Sequence, residues 1–296
     1  MSLPRIVCIV GPTSSGKTAL SLALAKEFNG EIVNADARQL YRGFDIGTGK
    51  PSSVLRLHTP HHLFDEDPAK QLTVTEWREK ALKCIHEIAD RGHLPIIVGG
   101  TGLYIQALVD NFSIPEVPPN EELREKLSRL SSLELLRRLQ ELDPDALEVV
   151  DVKNPRRVMR ALEVVLSTGT SFVAQRQKGE SLVDALQIGI ERSREELYER
   201  AERAVDEMIG GGWVEEVRGL LVQGITKETP AMSAIGYREL VDVVEGRATL
   251  EAVVPMIKQY TRNYSKRQIT WFKKDKSIVW VKDAHDACKR LREWMG

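Results

Sequence analysis

The sequence predicts an α/β protein whose parallel sheet has helices on both faces and whose core is interrupted by a helical insertion. In the first hundred residues, short apolar runs such as Ile6–Val10 alternate with stretches of helical periodicity. Short, fully apolar strands that alternate with helices are typical of parallel sheets buried on both faces. From a proline-rich segment at 115–119 onward, the pattern becomes charged and helical until about residue 179.

The core elements follow in chain order. Apolar runs predict three strands, at Ile6–Val10, Glu31–Asp36 and Leu94–Val98. The helix after the first strand ends near Phe28, and apolar residues at helical spacing predict another helix near Thr73–Asp90. After the insertion we expect a fourth strand at Ala185–Ile190, a helix at Ser193–Ile209, further helix to about Trp271 and a closing strand at Ser277–Val281.

The insertion is expected to be entirely helical. Its predicted helices span Glu121–Leu130, Ser132–Leu142, Asp145–Val150 and Pro155–Ser167, and no strand signal interrupts them. We therefore expect a core domain of residues 1–114 and 180–296 and a helical insertion domain of residues 115–179.

Composition narrows the class of protein. With 296 residues, of which 42% are hydrophobic, the chain can bury a large core. Three scattered cysteines and six histidines without metal-binding spacing argue against structural zinc and favour a reducing cytoplasm. No apolar run approaches the roughly 18 residues of a membrane span, so a soluble cytoplasmic protein is expected. The net charge of −1 excludes no class of partner.

A complete phosphate-binding motif, G-x-x-x-x-G-K-S/T, follows the first strand. It consists of Gly11, Pro12, Thr13, Ser14, Ser15, Gly16, Lys17 and Thr18. Glycines let backbone N–H groups turn toward phosphate oxygens, the lysine adds a positive charge, and the final hydroxyl is a Mg²⁺ ligand. With an apolar strand before it and a helix after it, the motif predicts a P-loop NTPase-like core that binds a di- or triphosphate.

Asp36 ends the second predicted strand. Ligands of parallel sheets bind beyond the carboxyl ends of the strands, so the phosphate loop, Asp36 and Thr101 are expected around one crevice. The alternative for Asp36 is a turn or helix-capping role. The third strand runs into Gly99–Gly102 without the acid that ATPases of this type use to organise Mg²⁺ and water. The crevice therefore suits the binding of phosphate and a second substrate better than the activation of water.

Two basic segments are candidates for binding a phosphate backbone. In residues 258–276, basic side chains alternate with Tyr260, Tyr264, Trp271 and Phe272. Residues 155–160 add a second basic cluster, within the insertion. The alternative for the first segment is an amphipathic helix with a solvated basic face. Arg194 and Arg200, after the fourth strand, either cover the phosphates or form surface ion pairs.

Seven segments, in order along nearly the whole chain, resemble the bacterial tRNA dimethylallyltransferases (tRNA isopentenyltransferases). They are Gly11–Thr18, Asp36–Tyr41, Pro60–Leu63, Gly99–Tyr104, Arg160–Val164, Ile235–Glu239 and Lys266–Trp271. The chain departs from that family at Ala37, where serine is usual, at Gly49, where alanine is usual, and at Ala204, where arginine is common. Ala37 removes one hydrogen-bonding group near the place of the substrate adenine.

The resemblance implies transfer of a dimethylallyl group from dimethylallyl diphosphate to N6 of the adenosine on the 3′ side of the tRNA anticodon. Asp36 would accept the proton of the amine, with Lys17 and Thr101 as the other catalytic residues. The phosphate loop would bind the diphosphate, helped by Arg194, Arg200 and a Mg²⁺ ion at Thr18. A monomer that binds the tRNA anticodon stem-loop, without a membrane partner, is expected.

The same resemblance implies a set of tRNA contacts. They fall on Asp36, Ala37, Arg38, Gln39, Thr101, Arg124, Arg156, Arg157, Arg160, Gly236, Tyr237, Arg238, Lys266, Arg267, Gln268, Trp271 and Lys273. For Trp271 the alternatives are stacking on a base and anchoring of the C-terminal helix, and its large apolar side chain favours the anchor.

Two other functions fit parts of the pattern. A nucleotide or small-metabolite kinase would use the same phosphate loop, with the insertion as a lid, but it leaves the basic segment at 258–276 unexplained. An RNA-binding switch controlled by a nucleotide would use the basic segments, but it does not explain an acid beside the phosphate site.

Overall fold

The chain divides into two compact units, residues 1–109 with 182–296, and residues 110–181. A computed structural model describes residues 3–112, 115, 117–175 and 178–296. The sequence analysis predicts an insertion of residues 115–179, whereas the second unit of the structure comprises residues 110–181. The first unit carries the sheet, and the second is helical.

The sheet of the first unit is parallel throughout. Its strands are β1 (Arg5–Val10), β2 (Gly30–Asn34), β3 (His61–His62), β4 (Leu94–Gly99), β5 (Asp184–Ile190) and β6 (Val279–Val281). Their order across the sheet is β3-β2-β4-β1-β5-β6. The predicted fold class, a parallel α/β core flanked by helices, is therefore confirmed.

Helices connect the strands and form the second unit. In chain order they are α1 (Lys17–Phe28), α2 (Ser53–His58), α3 (Val74–Asp90), α4 (Gly102–Val109), α5 (Glu121–Ser128), α6 (Ser132–Leu142), α7 (Ala146–Val149), α8 (Pro155–Thr168), α9 (Arg194–Gly210), α10 (Trp213–Val222), α11 (Tyr237–Val244), α12 (Leu250–Phe272) and α13 (Ala284–Met295). A 3₁₀ turn at Pro230–Ser233 precedes α11. Helices α5 to α8 belong to the second unit.

Side chains of β1 enter two cores, one on each face of the sheet. Ile6, Cys8 and Val10 belong to the larger core, whereas Val7 and Ile9 belong to the smaller one. Successive side chains of a strand point to opposite faces, so a wholly apolar strand implies burial on both sides.

The larger core also fixes the end of β2. Trp77 is fully buried, stacks on Tyr104 at a ring distance of 4.4 Å, and donates a hydrogen bond from its indole N–H to the Asn34 carbonyl. The last residue of β2 is thereby held in place next to the segment that contains Asp36.

The second unit has its own apolar core. Leu127 of α5, Leu135 and Leu139 of α6, and Val158 and Leu162 of α8 pack together there. This amphipathic packing is what the helical periodicity of the segment predicts.

The structure differs from the sequence prediction at β2 and β3. β2 ends at Asn34 and not at Asp36, which lies two residues beyond the strand in a turn. β3 contains only His61 and His62, paired with Ile32 and Val33, and two residues are too few to give an alternating pattern.

Within the described part of the chain, no helix is long and apolar enough to span a membrane.

Candidate active site

The phosphate loop leaves β1 in a conformation that favours glycine. Gly11 and Gly16 have φ angles of +143° and +102°, values that side chains with a Cβ rarely adopt. Helix α1 begins at Lys17, and no side chain caps its N-terminus. The first N–H groups of a helix carry partial positive charge, so this helix end is suited to bind an anion.

Lys17 folds back onto the phosphate loop and lies within range of the Asp36 charge. Its Nζ donates a hydrogen bond to the Pro12 carbonyl over 2.6 Å. Burial lowers the pKa of Lys17 to about 8, although the negative charge of Asp36 acts in the opposite direction. The Asp36 carboxylate is thus close enough for its negative charge to act on Lys17.

Gln268 of α12 joins the phosphate loop to the end of β4. Its side-chain oxygen accepts a hydrogen bond from Thr13 N–H, and its Nε2 donates to the Gly100 carbonyl over 2.8 Å. The side chain is buried, with 5% exposure. The sequence analysis assigns Gln268 to tRNA contacts, but the structure uses both ends of its amide inside the protein. Its physical role here is to hold the loop.

Asp36 has one carboxylate oxygen engaged in a turn. Oδ1 accepts a hydrogen bond from Arg38 N–H over 2.9 Å, and Asp36 N–H donates to Asn34 Oδ1. Within the described residues, no hydrogen bond reaches the second carboxylate oxygen. Asp36 therefore stabilises a turn, which the sequence analysis gives as the alternative to a role in the site. Its second carboxylate oxygen is also available for a ligand.

Thr101 and Tyr264 complete the surroundings of Asp36. Thr101 Oγ1 accepts a hydrogen bond from Ala37 N–H over 2.9 Å and also faces the Tyr264 hydroxyl. Burial raises the pKa of Tyr264 to about 12, and the nearby charge of Asp36 adds to this shift. Tyr264 is not among the site residues that the sequence analysis assigns. Its place among the aromatic residues of segment 258–276 is the signal that could have found it.

The end of β4 leaves no room for side chains. A Cβ atom at Gly99 would lie 2.1 Å from the carbonyl oxygen of Ala35, and one at Gly102 would lie 2.2 Å from the indole of Trp271. The indole therefore packs against the backbone next to Thr101, while 38% of Trp271 stays exposed. This arrangement fits the anchor role, and it leaves part of the ring accessible.

Of the two predicted phosphate-covering arginines, Arg200 reaches the loop. Its Nε donates a hydrogen bond to the Ser14 carbonyl over 2.9 Å. Arg194 is exposed and donates from Nε to the Tyr198 hydroxyl, so in this conformation its contact is along α9. Arg192 is a further basic residue on the side of the sheet where the phosphate loop lies. It follows the carboxyl end of β5, and β5 is the neighbour of β1. Arg192 could have been identified from the sequence, because ligands of parallel sheets bind beyond the carboxyl ends of the strands.

Several predicted tRNA contacts lie inside the first unit. Tyr237 is fully buried, and its hydroxyl donates to Glu216 over 2.6 Å. Gly236 is also buried, with φ +92°. Gln39 donates from Nε2 to the carbonyls of Thr48 and Gly49. These residues support the loops around the site, and of the three only Gln39 has a partly exposed side chain.

Other predicted tRNA contacts are accessible. Arg38 donates to the Ser233 hydroxyl over 2.7 Å at the surface next to Ala37. Exposed basic side chains are those of Arg238, Lys266, Arg267 and Lys273. They provide positive charge on the same unit as the phosphate loop.

In the second unit, the predicted arginines share a buried acid. Arg124 Nε and Arg160 Nη1 bind the two carboxylate oxygens of Glu163, which is 1% exposed. Burial alone would raise the pKa of Glu163, but hydrogen bonds from Arg124, the Asn120 backbone and Arg160 hold it below the usual value. Arg156 and Arg157 are exposed at the start of α8.

Comparison with known proteins gives the family of this chain. The model of the family described as "IPP transferase" matches residues 39–275. The chain belongs to this family. A tRNA dimethylallyltransferase of Geobacter metallireducens is 44% identical over 285 residues, which is 94% of this chain and 92% of that protein. One of Thermomicrobium roseum is 42% identical over 280 residues, which is 93% and 85% of the two chains.

Solved structures of the family have the same fold. The tRNA delta(2)-isopentenylpyrophosphate transferase of Staphylococcus epidermidis superimposes with a TM-score of 0.71 at 36% identity, covering 99% of this chain and 98% of that one. A eukaryotic dimethylallyltransferase described as acting on tRNA gives a TM-score of 0.78 at 26% identity, covering 97% and 77%. The resemblance noted in the sequence is therefore confirmed.

Proposed function

We propose that this chain transfers a dimethylallyl group from dimethylallyl diphosphate to N6 of the adenosine on the 3′ side of the tRNA anticodon, releasing diphosphate. The chain is a prenyl transferase acting on tRNA, as its relatives are by name. The observation that carries the detailed proposal is the carboxylate of Asp36, which has one oxygen available and lies close to the phosphate-loop Lys17.

The phosphate loop would stabilise the leaving group. Negative charge develops on the diphosphate as its bond to the allylic carbon breaks, and fixed N–H groups and cations that face this charge lower the barrier. The uncapped start of α1 and the Lys17 ammonium are such groups. Arg200, held on Ser14, adds a second cation at the loop.

Asp36 would act as the proton acceptor. The exocyclic amine of adenine is a poor nucleophile because its lone pair is delocalised into the ring, so it must lose a proton as the new N–C bond forms. The available Asp36 oxygen can take this proton, while Oδ1 keeps the side chain in place through Arg38 N–H. Thr101 orients the surroundings through Ala37 and Tyr264.

A Mg²⁺ ion fits the available donors if the substrate supplies most of its ligands. Within the described residues, no group of three His, Cys, Asp or Glu side chains could hold a metal. Mg²⁺ at phosphate sites commonly takes one or two protein oxygens with phosphate and water oxygens. The Thr18 hydroxyl in the first turn of α1 would be the protein ligand. When bound, the ion would neutralise charge on the diphosphate.

The acceptor adenine has to leave the stack of the anticodon loop to reach Asp36. Enzymes that act on a base commonly extrude it, at a cost of a few kcal/mol that contacts in the pocket offset. The exposed Arg238, Lys266, Arg267 and Lys273 would bind RNA phosphates. In the second unit, Arg156 and Arg157 are suited to the anticodon stem, together with the paired Arg124 and Arg160.

A single incubation tests the function. The protein is mixed with radiolabelled dimethylallyl diphosphate or with labelled ATP, each with and without unmodified tRNA, and the RNA is then digested to nucleosides. The incubation uses the monomeric protein in a reducing buffer of cytoplasmic pH that contains Mg²⁺. We expect label in N6-dimethylallyladenosine only when dimethylallyl diphosphate and tRNA are both present. ATP turnover without tRNA would favour a kinase.

A further inference from the structure

The carboxylate of Glu216 in α10 binds the backbone of a loop between β2 and α2. Its Oε2 accepts hydrogen bonds from the N–H groups of Asp45 and Ile46 over 3.0 and 2.6 Å, and its Oε1 accepts from Gly47 N–H over 3.3 Å. Successive backbone N–H groups that converge on one point form a concavity that binds anions. We name this concavity the loop nest, and Glu216 supplies its anion.

The start of α10 also packs directly on the loop nest. Trp213 lies three residues before Glu216, so the two side chains lie on the same side of the helix. A Cβ atom at Gly47 would lie 2.0 Å from the indole Nε1 of Trp213, and one at Gly236 would lie 2.2 Å from the same ring. The start of α10 is therefore in contact with two separate segments, the loop nest and the turn before α11.

Tyr237, the first residue of α11, binds the same carboxylate. Its hydroxyl donates to Glu216 Oε1 over 2.6 Å, and its fully buried ring lies 4.8 Å from that of Phe44. Burial raises the pKa of Tyr237, and the negative charge of Glu216 adds to this shift, so the hydroxyl keeps its proton at neutral pH. One carboxylate thus anchors both the loop nest and the start of α11.

The loop nest is connected to the turn of Asp36 through Gln39. Gln39 Nε2 donates to the carbonyls of Thr48 and Gly49 over 3.0 Å each, and these two residues directly follow the nest. Gln39 N–H in turn donates to the Asp36 carbonyl over 3.2 Å. A shift of the loop nest would therefore move Gln39, and with it the backbone that carries the proposed proton acceptor.

The segment before α11 is connected to the same turn through Arg38. The Ser233 hydroxyl, in the 3₁₀ turn that precedes Tyr237, accepts a hydrogen bond from Arg38 Nη1 over 2.7 Å. Arg38 N–H also donates to Asp36 Oδ1. The two residues that bond to Asp36 in this turn are therefore each supported by a segment that Glu216 anchors.

We propose that Glu216 is a positioning residue for prenyl transfer, because its negative charge holds the acceptor side of the site in the geometry that Asp36 requires. The inference rests on the proposed function. Among the described residues, the Glu216 carboxylate bonds to the loop nest and Tyr237, whereas Gln268 and Arg200 hold the phosphate loop. Loss of Glu216 should therefore slow the reaction of the acceptor and leave diphosphate binding intact.

The test combines variants with chemical rescue. Glu216→Ala empties the loop nest, so that formate, a carboxylate small enough to enter it, can replace the missing anion. Glu216→Gln keeps the nest filled with a neutral side chain. Glu215→Ala removes the exposed acid next to Glu216 in the first turn of the same helix and is the matched control. The kcat at saturating tRNA, the Kd for diphosphate and the melting temperature are measured in sodium formate and in sodium chloride of equal ionic strength.

We expect the kcat of Glu216→Ala in chloride to be about 10- to 100-fold below wild type, because a misplacement of about 1 Å at a catalytic group can have this effect. The Kd for diphosphate should equal that of wild type. Formate should restore most of the lost kcat and raise the melting temperature of this variant, since it binds the folded state. Glu216→Gln should be slow in both salts, because its amide excludes formate, and Glu215→Ala should match wild type.

Four results would each overturn the proposal. Wild-type kcat in a folded Glu216→Ala variant would leave the carboxylate with a role in the fold alone. A kcat that is equally low in formate and chloride would separate the loss of activity from the empty nest. A melting temperature that formate does not raise would mean that the nest binds no anion. A Kd for diphosphate that rises as kcat falls would assign the effect to the phosphate loop.

Failure of the function gives a different result. If wild type transfers no prenyl group in either salt, the proposed function is wrong. The effect of formate on the melting temperature of Glu216→Ala then still decides whether the loop nest requires an anion, because this measurement does not depend on activity.

Discussion

The side-chain oxygen of Gln268 accepts a hydrogen bond from the backbone N–H of Thr13 over 2.9 Å, although the two residues are 255 positions apart. The same amide donates to the Gly100 carbonyl, so one residue of α12 fixes the phosphate loop against the end of β4. The geometry of the phosphate site thus depends on a helix near the C-terminus.

Gln268→Glu should weaken diphosphate binding. The carboxylate keeps an acceptor for Thr13 N–H, but it loses the donor to Gly100 and places a negative charge beside a bound anion. We expect the Kd for diphosphate, measured by calorimetry, to rise about tenfold or more. Gln259→Glu makes the same change of charge at an exposed position on α12 and should bind normally. Equal affinities for the two variants would contradict the role of Gln268.

Lys17→Ala should strongly reduce prenyl transfer, because one of the two cations at the phosphate loop is lost. Removal of one such group commonly lowers kcat by about 10²–10³-fold. Lys17 is charged below its pKa of about 8, so wild-type affinity for diphosphate should fall as the pH is raised through 8. This pH dependence should be absent in Lys17→Ala and present in the control Lys26→Ala. A pH step that survives in Lys17→Ala would assign it to another group.

Asp36→Asn should lower the turnover by about 10²–10⁴-fold, the scale of a lost general base. The asparagine oxygen still accepts from Arg38 N–H, so the turn is retained and tRNA binding should change little. Asp67→Asn is the matched control, because Asp67 makes the same type of turn with Ala69 N–H. Near-normal single-turnover rates in Asp36→Asn would leave Asp36 with the turn role alone.

Lys266→Ala with Arg267→Ala should change the salt dependence of tRNA binding. Each phosphate neutralised contributes a slope of about −0.7 to −0.9 to the plot of log affinity against log salt. In the double variant the slope should therefore be shallower by about one to two units, and the KM for tRNA should be higher. Lys289→Ala with Arg290→Ala removes the same charge from α13 and serves as the control. An unchanged slope would make segment 258–276 a solvated helix face.

Glu31→Gln should destabilise the protein at neutral pH. Glu31 is buried and bonds to His62, Arg91 and His93. Burial alone would raise its pKa, but these partners outweigh it and lower the pKa from 4.5 to about 2. Loss of the carboxylate charge should therefore lower the melting temperature of the protein.

The stability that Glu31 contributes is complete above pH 4.5 and is lost as the pH falls toward 2. The difference in melting temperature between wild type and Glu31→Gln should therefore shrink over this range. Glu87→Gln, on the exposed surface of α3, should melt like wild type at every pH. If the difference in melting temperature stays constant down to pH 2, the Glu31 charge is not its cause.

The sheet and the phosphate loop could be predicted because they depend on local pattern. Apolar runs give the strands, and the rule of carboxyl strand ends places Asp36 beside the loop. The burial of Gln268 could not be predicted, since its partners are far away in sequence and its motif does not show them. The burial of Tyr237 could not be predicted for the same reason. A motif gives the residue type but not the direction in which the side chain points.

The packing around Gly99 limits how this protein could evolve or be engineered. Phosphate-loop ATPases place an acid at the end of a strand that corresponds to β4. Here a Cβ at Gly99 would collide with the Ala35 carbonyl, and one at Gly102 would displace the indole of Trp271. A single substitution could not install a water-activating carboxylate without moving the backbone that carries Asp36. The packing at the end of β4 therefore excludes a second carboxylate there, whichever residue replaces the glycine.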